Sequence, residues 1–200
     1  MILPLLTGLS AGLSLIVAIG AQNVFVLRQG IQRSHVGLVV AVCAISDLVL
    51  ILAGVAGIGV LLDRAPAAIT VIRWAGAAFL LAYGAMAARR AFRGERMEIS
   101  DGAQPRRRVA ILGACLAFTW LNPHVYLDTV LLLGSLAAAQ GDPGRWWFGA
   151  GASLGSILWF TALGVGARYL APLFRRRGAW RVLDACVAVV MVALALTLLA

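Results

Sequence analysis

Long apolar stretches alternate with short polar connections along the whole chain. Six of the stretches are about as long as, or longer than, the ~20 residues that a helix needs to cross a bilayer. They lie at about 2–27, 36–62, 68–89, 109–138, 146–171 and 180–199. Lipid offers the backbone no hydrogen-bond partners, so stretches of this length form helices. The pattern predicts an all-α, polytopic membrane protein with six transmembrane helices.

A polar connection at about 90–108 separates two halves, at about 1–90 and 109–200. It combines many arginines with glycine and proline, so we expect a flexible cytoplasmic linker. An internal repeat of three helices would have inverted topology, which is the common plan of secondary transporters. When the two halves are aligned at an offset of 100 residues, they mainly share the order of a polar pair followed by an apolar run. The prediction is a single transmembrane transporter domain over 1–200.

Composition and charge favour a membrane location. Hydrophobic residues make up 62% of the chain, the mean hydropathy is +0.95 and only 12% of residues are charged, whereas soluble domains are about a quarter charged. The net charge of +9 comes from 17 arginines, a balance that nucleic-acid-binding proteins also have. However, 14 of the 17 lie in or beside the first, third and fifth connections. The positive-inside rule therefore places these odd-numbered loops on the cytoplasmic side of a bacterial inner membrane, with both termini on the outside. Because the arginines are explained in this way, we expect no nucleic-acid partner.

The sequence carries no signature of catalysis or metal binding. Cys43, Cys115 and Cys186 are far apart in apolar stretches and lack metal-ligand spacing. There is no nucleophile elbow and no HExxH motif, and two carboxylates with a few amides are too few ligands for a metal cage. We therefore expect no enzyme activity, no catalytic residues, no metal and no cofactor.

Two acidic residues lie deep in apolar stretches. Asp47 has 13 uncharged residues before it and 15 after it, and Asp128 has 19 before it and 13 after it. A carboxylate at membrane depth costs ~2.5–3.5 kcal/mol even on lenient insertion scales, so it faces a polar cavity or a partner. We interpret both as substrate-binding residues. The alternative for Asp47 is a structural pair with an arginine such as Arg28, or hydrogen bonds between helices.

The fourth stretch is interrupted by Asn122-Pro123. Pro123 has no N–H, so the helix should break there, beside protein or a cavity. The N-terminus of the second half then suits a substrate carboxylate. His124 and Asp128 share a face beyond the break, and Tyr126 is four residues from Asn122. We assign Asn122 and Tyr126 to substrate binding and His124 to a proton relay; the alternatives are a structural kink and a histidine bonded only to the backbone or to Asp128.

Gly20-Ala21-Gln22-Asn23 is the corresponding polar element of the first half. Gly20 allows backbones to approach closely, and we assign it to a second helix break. Gln22 and Asn23 offer amide donors and acceptors, and we assign them to substrate binding. The alternative is that they only mark the membrane edge near Arg28.

Two pairs of glycines have the four-residue spacing that lets transmembrane helices pack closely. They are Gly8 with Gly12, and Gly151 with Gly155. Packing within the subunit and contact in a homodimer are both compatible with this spacing.

The polar elements resemble those of the lysine/arginine exporter (LysE/ArgO) family of basic amino-acid exporters, over nearly the full chain. The similarity lies in Gly20–Gly30, Ser46-Asp47 and Thr119–Thr129. The related homoserine/threonine exporters instead have a Pro-Gly-Pro-Asn type element in the first span, and tend to have Lys without a matching acid after the second Asn-Pro. The resemblance implies export of L-arginine or L-lysine. It places site residues at Gln22, Asn23, Asp47, Asn122, Pro123 and Asp128.

These features predict a secondary transporter that exports basic L-amino acids from the cytoplasm. Two buried carboxylates suit a cationic side chain and an ammonium group. Exporting a cation from a negative interior costs ~2.3 kcal/mol per 100 mV, and the sequence has no nucleotide-binding loop, so we expect proton antiport. The alternative is an exporter of neutral amino acids or of another small cationic solute. A membrane enzyme or a scaffold subunit fits less well, because the first needs catalytic motifs and the second gains nothing from buried acids.

Overall fold

The structure, a computed structural model, describes residues 1–17, 20–57, 66–93, 105–175 and 177–199. Every regular element within these ranges is helical. The helices are α1 (Ile2–Ile16), α2 (Ala21–Ile31), α3 (Val36–Val55), α4 (Pro66–Arg93), α5 (Pro105–Trp120), α6 (Pro123–Ala138), α7 (Gly144–Gly166) and α8 (Arg177–Leu199). A 3₁₀ segment, Ala167–Arg175, links α7 to α8, and the middle of α6, Tyr126–Leu132, is π-helical.

The helices confirm the prediction of an all-helical, polytopic membrane protein. Helices α3, α4, α7 and α8 are each long and apolar enough to cross a bilayer. Two further spans result if each bent pair counts as one, namely α1 with α2, inclined at 83°, and α5 with α6, inclined at 57°. The second bend confirms the break predicted at Asn122-Pro123. Six complete crossings and the internal repeat stay predictions, although both halves begin with a bent pair.

The first apolar stretch, predicted over 2–27 with a break assigned to Gly20, consists of two helices, and Gly20 is the N-cap of the second. Helix α1 ends at Ile16, and α2 continues past the predicted end to Ile31. Arg28, expected in the first connection, therefore lies inside α2 and is only 2% exposed. Its burial is stabilised by Asp184 of α8, whose Oδ1 lies 2.6 Å from the Arg28 Nη1. Hydropathy along the chain did not reveal this pairing, because the two residues are far apart in sequence.

Most of the predicted linker at about 90–108 falls outside the described residues. Helix α4 extends into it as far as Arg93, and α5 begins within it at Pro105. Helix α3 ends at Val55. The end of the predicted second stretch, after residue 57, also lies outside the described residues.

The glycine pairs bring α1 and α7 into close contact. Gly12 faces Ala152, and a Cβ on Gly12 would lie 2.9 Å from the Ala152 Cα. Gly8 also faces the backbone of α7, and Gly151 and Gly155 face the backbone of α1. The small-residue spacing is thus used within the subunit, between these two helices.

Close packing also joins α3 to α6, where glycines again meet backbone. A Cβ on Gly54 would lie 2.7 Å from the carbonyl oxygen of Thr129, and one on Gly134 would lie 2.8 Å from that of Gly54. Only residues without side chains permit this approach. It holds the π-helical part of α6, which contains Asp128, against the helix that carries Asp47.

Four aromatic side chains fill the space between α2, α4 and α5. They are Phe25, Phe79, Tyr83 and Phe118. Their ring centroids are 4.8 to 6.3 Å apart, mostly in tilted or edge-to-face arrangements, which aromatic pairs favour. The cluster thus joins two helices of the first half, α2 and α4, to α5, and α4 in turn packs most extensively against α8.

Candidate functional site

Polar residues at the breaks of both bent pairs line one cavity. Its volume is about 320 Å³, within the range of small-molecule sites, roughly 300–1,000 Å³. Seven of the predicted residues line it: Gly20, Gln22, Asn23, Asp47, Asn122, His124 and Asp128. The rest of the wall is largely apolar, with Leu15, Ile16, Leu80, Leu133, Phe160, Leu194 and Leu198. The fold therefore brings together predicted residues that lie up to 108 positions apart in sequence, from Gly20 to Asp128.

Asp47 reaches the cavity from the middle of α3. The residue is 3% exposed, and its Oδ2 accepts a 2.8 Å hydrogen bond from the hydroxyl of Ser156 on α7. Arg28, the alternative partner considered from sequence, is paired with Asp184 instead. Asp47 is thus a buried carboxylate that is oriented by a neutral hydroxyl and turned towards the cavity.

Asn122 caps the N-terminus of α6. Its backbone is extended, and its side-chain oxygen accepts a 3.1 Å hydrogen bond from the N–H of His124. The N–H of Asn122 itself donates to the carbonyl of Thr119 at 3.4 Å, the group that loses its usual donor to Pro123. Pro123 is the first helical residue and is buried. Asparagine and proline therefore satisfy the backbone at the break in the way such residues usually do at helix starts.

Asp128 lies on the π-helical part of α6 and is half-buried at the cavity wall. One turn earlier, His124 lines the same cavity and is exposed. The hydroxyl of Thr129 donates a 2.5 Å hydrogen bond to the carbonyl of Val125. Single π-turns occur often at functional sites, because the wider turn changes the direction of its side chains.

Gln22 and Asn23 lie on the first turn of α2, after Gly20. Gln22 is 9% exposed, and its side-chain nitrogen has no hydrogen-bond partner among the described residues. The thiol of Cys43 is close to it but is only a weak acceptor. A buried amide donor at a cavity wall is costly to leave unpaired, so it suits an acceptor on a bound solute.

Asn23 and Tyr126 each bridge one of the two breaks. The Asn23 amide donates to the carbonyl of Ile16, the last residue of α1, at 2.7 Å. The Tyr126 hydroxyl donates to the carbonyl of Trp120, the last residue of α5, at 2.9 Å. Tyr126, which was assigned to substrate binding from sequence, is not among the residues of the described cavity wall. Its spacing from Asn122 placed it near the break, but its hydroxyl is used by the backbone.

Three residues that the sequence did not single out support the site. Ser156 orients Asp47, and the indole N–H of Trp159 donates to the side-chain oxygen of Asn23 at 3.1 Å. The indole N–H of Trp120 donates to the hydroxyl of Ser46 at 3.2 Å. The sequence offered a signal for one of them, Ser156, because its spacing from Gly164 equals that of Ser46 from Gly54.

The cavity is suited to a solute that carries both signs of charge. Two carboxylates face it, and no arginine belongs to its described wall, so it attracts cations. The Gln22 amide supplies a donor for an anionic group. The N–H groups of His124 and Val125 are taken up by Asn122, so the N-terminus of α6 contributes only its partial positive charge. No cluster of three potential metal ligands occurs among the described residues. A polar cavity at the ends of broken transmembrane helices is the architecture of a secondary transporter.

Comparison with known proteins agrees with this class. The model of the LysE type translocator family matches residues 13–200, and the chain belongs to that family. A protein of Mycobacterium tuberculosis (strain H37Rv) described as a candidate amino-acid transporter is 48% identical over 187 residues, covering 94% of this chain and 92% of its own. Two proteins named arginine exporter protein ArgO are each 42% identical. The Yersinia enterocolitica protein aligns over 93% of this chain and 91% of its own, and the Serratia proteamaculans protein over 96% and 94%. No solved structure gives a significant match.

Proposed function

We propose that this amino-acid exporter carries basic L-amino acids, L-arginine and/or L-lysine, out of the cytoplasm. The observation that carries the proposal is the pairing of Asp47 and Asp128 on one cavity whose described wall contains no arginine. The names of the Yersinia and Serratia relatives support arginine as the first substrate to test.

Each end of the substrate has a matching group in the proposed complex. Asp47 and Asp128 bind the positive groups, which are the side-chain cation and the α-ammonium. The amide of Gln22, which has no partner among the described residues, donates to the α-carboxylate, and the partial positive charge at the N-terminus of α6, which Asn122 caps, lies beside it. Asn23 orients the site through its bonds to Ile16 and Trp159.

Proton antiport is the proposed energy source. Moving one positive charge outwards against a membrane potential costs ~2.3 kcal/mol per 100 mV, and an inward proton gradient opposes this cost. Asp47 or Asp128 binds a proton when the substrate leaves, so one carboxylate serves both ions in turn. His124, one turn before Asp128 on the exposed side of the wall, is proposed to relay the proton.

The proposed location is a bacterial inner membrane with the odd-numbered connections in the cytoplasm. The arginines of the third and fifth connections support this sidedness. No enzymatic step belongs to the proposal.

The decisive experiment uses reconstituted vesicles loaded with radiolabelled L-arginine. Efflux should require the protein, rise when a pH gradient is imposed and fall when it is collapsed. Asp128→Asn should abolish efflux, whereas the control Asp142→Asn should not, because Asp142 lies in a loop with its side chain 64% exposed. Efflux by Asp128→Asn at the native rate would remove Asp128 from the site.

Two further outcomes separate the parts of the proposal. Efflux that is unaffected by collapse of the pH gradient would refute the antiport. Equal efflux of L-citrulline, which has arginine's shape without its side-chain charge, would refute the preference for basic substrates and favour a neutral amino-acid exporter.

A further inference from the structure

A buried ionic cluster lies outside the cavity and joins three helices. Arg28 of α2 and Arg90 of α4 both contact Oδ1 of Asp184 on α8, at 2.6 and 3.3 Å. The three side chains are 2%, 19% and 7% exposed. Two guanidinium groups therefore share one carboxylate oxygen.

This composition is unusual for a purely structural ion pair. Buried charges are costly unless they are matched and fully hydrogen-bonded, and here one acid serves two bases. Nη2 of Arg90 is also buried without a hydrogen-bond partner among the described residues. An interaction that is only partly satisfied can open at lower cost than a fully matched one.

The cluster is aligned with the cavity along all three helices. On α2, Gln22 lines the cavity and Arg28 lies six residues further along the helix. On α4, Leu80 lines the cavity and Arg90 belongs to the cluster. On α8, Leu194 lines the cavity and Asp184 belongs to the cluster. At 1.5 Å per residue the cluster lies ~9 Å from the cavity along α2 and ~15 Å along α4 and α8.

An aromatic and apolar layer separates the cluster from the cavity. Phe25 lies midway between Gln22 and Arg28, and its ring is 5.1 Å from that of Phe118. Tyr83 lies between Leu80 and Arg90, and its ring is 4.9 Å from that of Phe118. On α8 the buried residues Val187 and Met191 fill the same level.

The aromatic layer and the ionic cluster are in contact. The guanidinium carbon of Arg90 lies 5.8 Å from the centroid of the Tyr83 ring, within the range of a cation–π interaction. Both belong to the arginine-rich end of the molecule, where α4 ends at Arg93 and α8 begins at Arg177. From that end towards the cavity, the order along these helices is therefore the ionic cluster first and the aromatic layer second.

We propose that Arg28, Arg90 and Asp184 form a closed gate at the arginine-rich end of the cavity, and that Asp184 is an outer binding site for the cationic substrate. The second part rests on the proposed function. The guanidinium of an incoming arginine has the same chemistry as those of Arg28 and Arg90, so it replaces them on Asp184 and the gate opens. The substrate therefore opens the gate by exchange of like groups, without leaving the carboxylate unpaired.

The first test measures access to the cavity from each side of the membrane. Leu194→Cys serves as the reporter, in a background where Cys43, Cys115 and Cys186 are replaced by alanine. A membrane-impermeant thiol reagent is added to sealed vesicles of each orientation. With the native cluster, the reporter should react readily from the opposite side and at least about tenfold more slowly from the arginine-rich side, which corresponds to one charge-assisted hydrogen bond.

The second test removes the ion pair. The double variant Arg28→Gln/Asp184→Asn keeps the net charge of the cluster and should raise labelling from the arginine-rich side by roughly tenfold. The matched control is Asp142→Asn/Arg145→Gln, which removes the exposed ion pair of 2.7 Å outside the bundle and should change nothing. Equal labelling from both sides with the native cluster, or no increase in the double variant, would overturn the gate.

The third test keeps the native cluster and therefore does not depend on the folding of a variant. L-Arginine added at the arginine-rich side should accelerate labelling of the reporter, and L-citrulline should not. Two results would overturn Asp184 as an outer cation site. One is equal acceleration of labelling by L-arginine and L-citrulline, and the other is no acceleration by either of them while arginine efflux persists. The gate itself is tested by labelling from the two sides without substrate. Failure of arginine efflux would therefore count against the proposed function and not against the gate.

Discussion

Replacing Asp47 with asparagine tests the charge of the cavity most directly. The substitution is nearly isosteric, and its side-chain oxygen can still accept the hydrogen bond that Ser156 donates at 2.8 Å. The aspartate is 3% exposed and forms no ion pair among the described residues, since its hydrogen-bond partner there is the neutral hydroxyl of Ser156; removing its charge therefore leaves no described cation unpaired. We expect the variant to fold and to lose affinity for the cationic substrate.

The size of the loss follows from the burial of the carboxylate. Two unit charges about 4 Å apart attract by about 4 kcal/mol at an effective dielectric constant of 20. Desolvation of the substrate cation offsets part of this, and buried charge pairs lose about 2–5 kcal/mol when one partner is truncated. A net loss of about 2–4 kcal/mol corresponds to a roughly 30- to 1,000-fold higher Kd for L-arginine.

Calorimetry on the purified protein measures this Kd directly, with two variants for comparison. Ser156→Ala keeps the charge but removes the orienting hydroxyl, so it should weaken binding by about fivefold, the value of one neutral hydrogen bond. L-Citrulline should bind the native protein and Asp47→Asn with similar affinity, because it lacks the cation. If Asp47→Asn folds and its Kd for L-arginine stays within about threefold of native, Asp47 does not bind the substrate cation.

The remaining predictions concern the supports of the site. Tyr126→Phe loses the bond to the Trp120 carbonyl and should lower stability in detergent by about 0.6–2 kcal/mol, with little change in arginine affinity; a large loss of affinity at unchanged stability would return Tyr126 to the substrate site. Gly54→Ala places a Cβ 2.7 Å from the Thr129 carbonyl and should destabilise by about 1–3 kcal/mol in thermal unfolding, whereas Gly37→Ala on the same helix, with open space around it, should be neutral. Equal melting temperatures for the two glycine variants would show that the close approach of α3 and α6 carries no energy. Trp159→Phe removes the donor to Asn23 and should slow efflux and lower the melting temperature together; slower efflux alone would indicate a direct contact with substrate.

The sequence predicted what depends on hydropathy and single-residue chemistry. Apolar length identified the helices, and Pro123 identified the second break because a missing N–H is visible in the sequence. Asp47 and Asp128 were found because carboxylates are expensive at membrane depth, and the cavity brings both together with Gln22 and Asn122. These inferences did not require knowledge of helix packing.

The sequence did not predict what depends on how one helix is rotated against another. The first apolar stretch was bounded at 2–27 with a break assigned to Gly20, but the end of the second helix at Ile31 was not predicted. Arg28 was placed in a connection because its partner Asp184 comes 156 positions later in the chain. Spacing along a helix gives the face that a side chain occupies, but not which side chain it meets there.

The two broken helices explain why some polar residues at the site are available to a solute and others are not. Each break leaves carbonyl groups at the end of a helix, and lipid offers them no donor. Asn23 donates to the Ile16 carbonyl and Tyr126 to the Trp120 carbonyl, so these two donors are already used by the backbone. The amide of Gln22 has no partner among the described residues, and Asp128, half-buried one turn after His124, keeps its carboxylate at the cavity wall. Sequence alone assigns all four of these residues to substrate binding, because each is polar and lies close to a break. The hydrogen-bond requirements of the broken backbone separate them, and they leave Gln22 and Asp128 available to a solute.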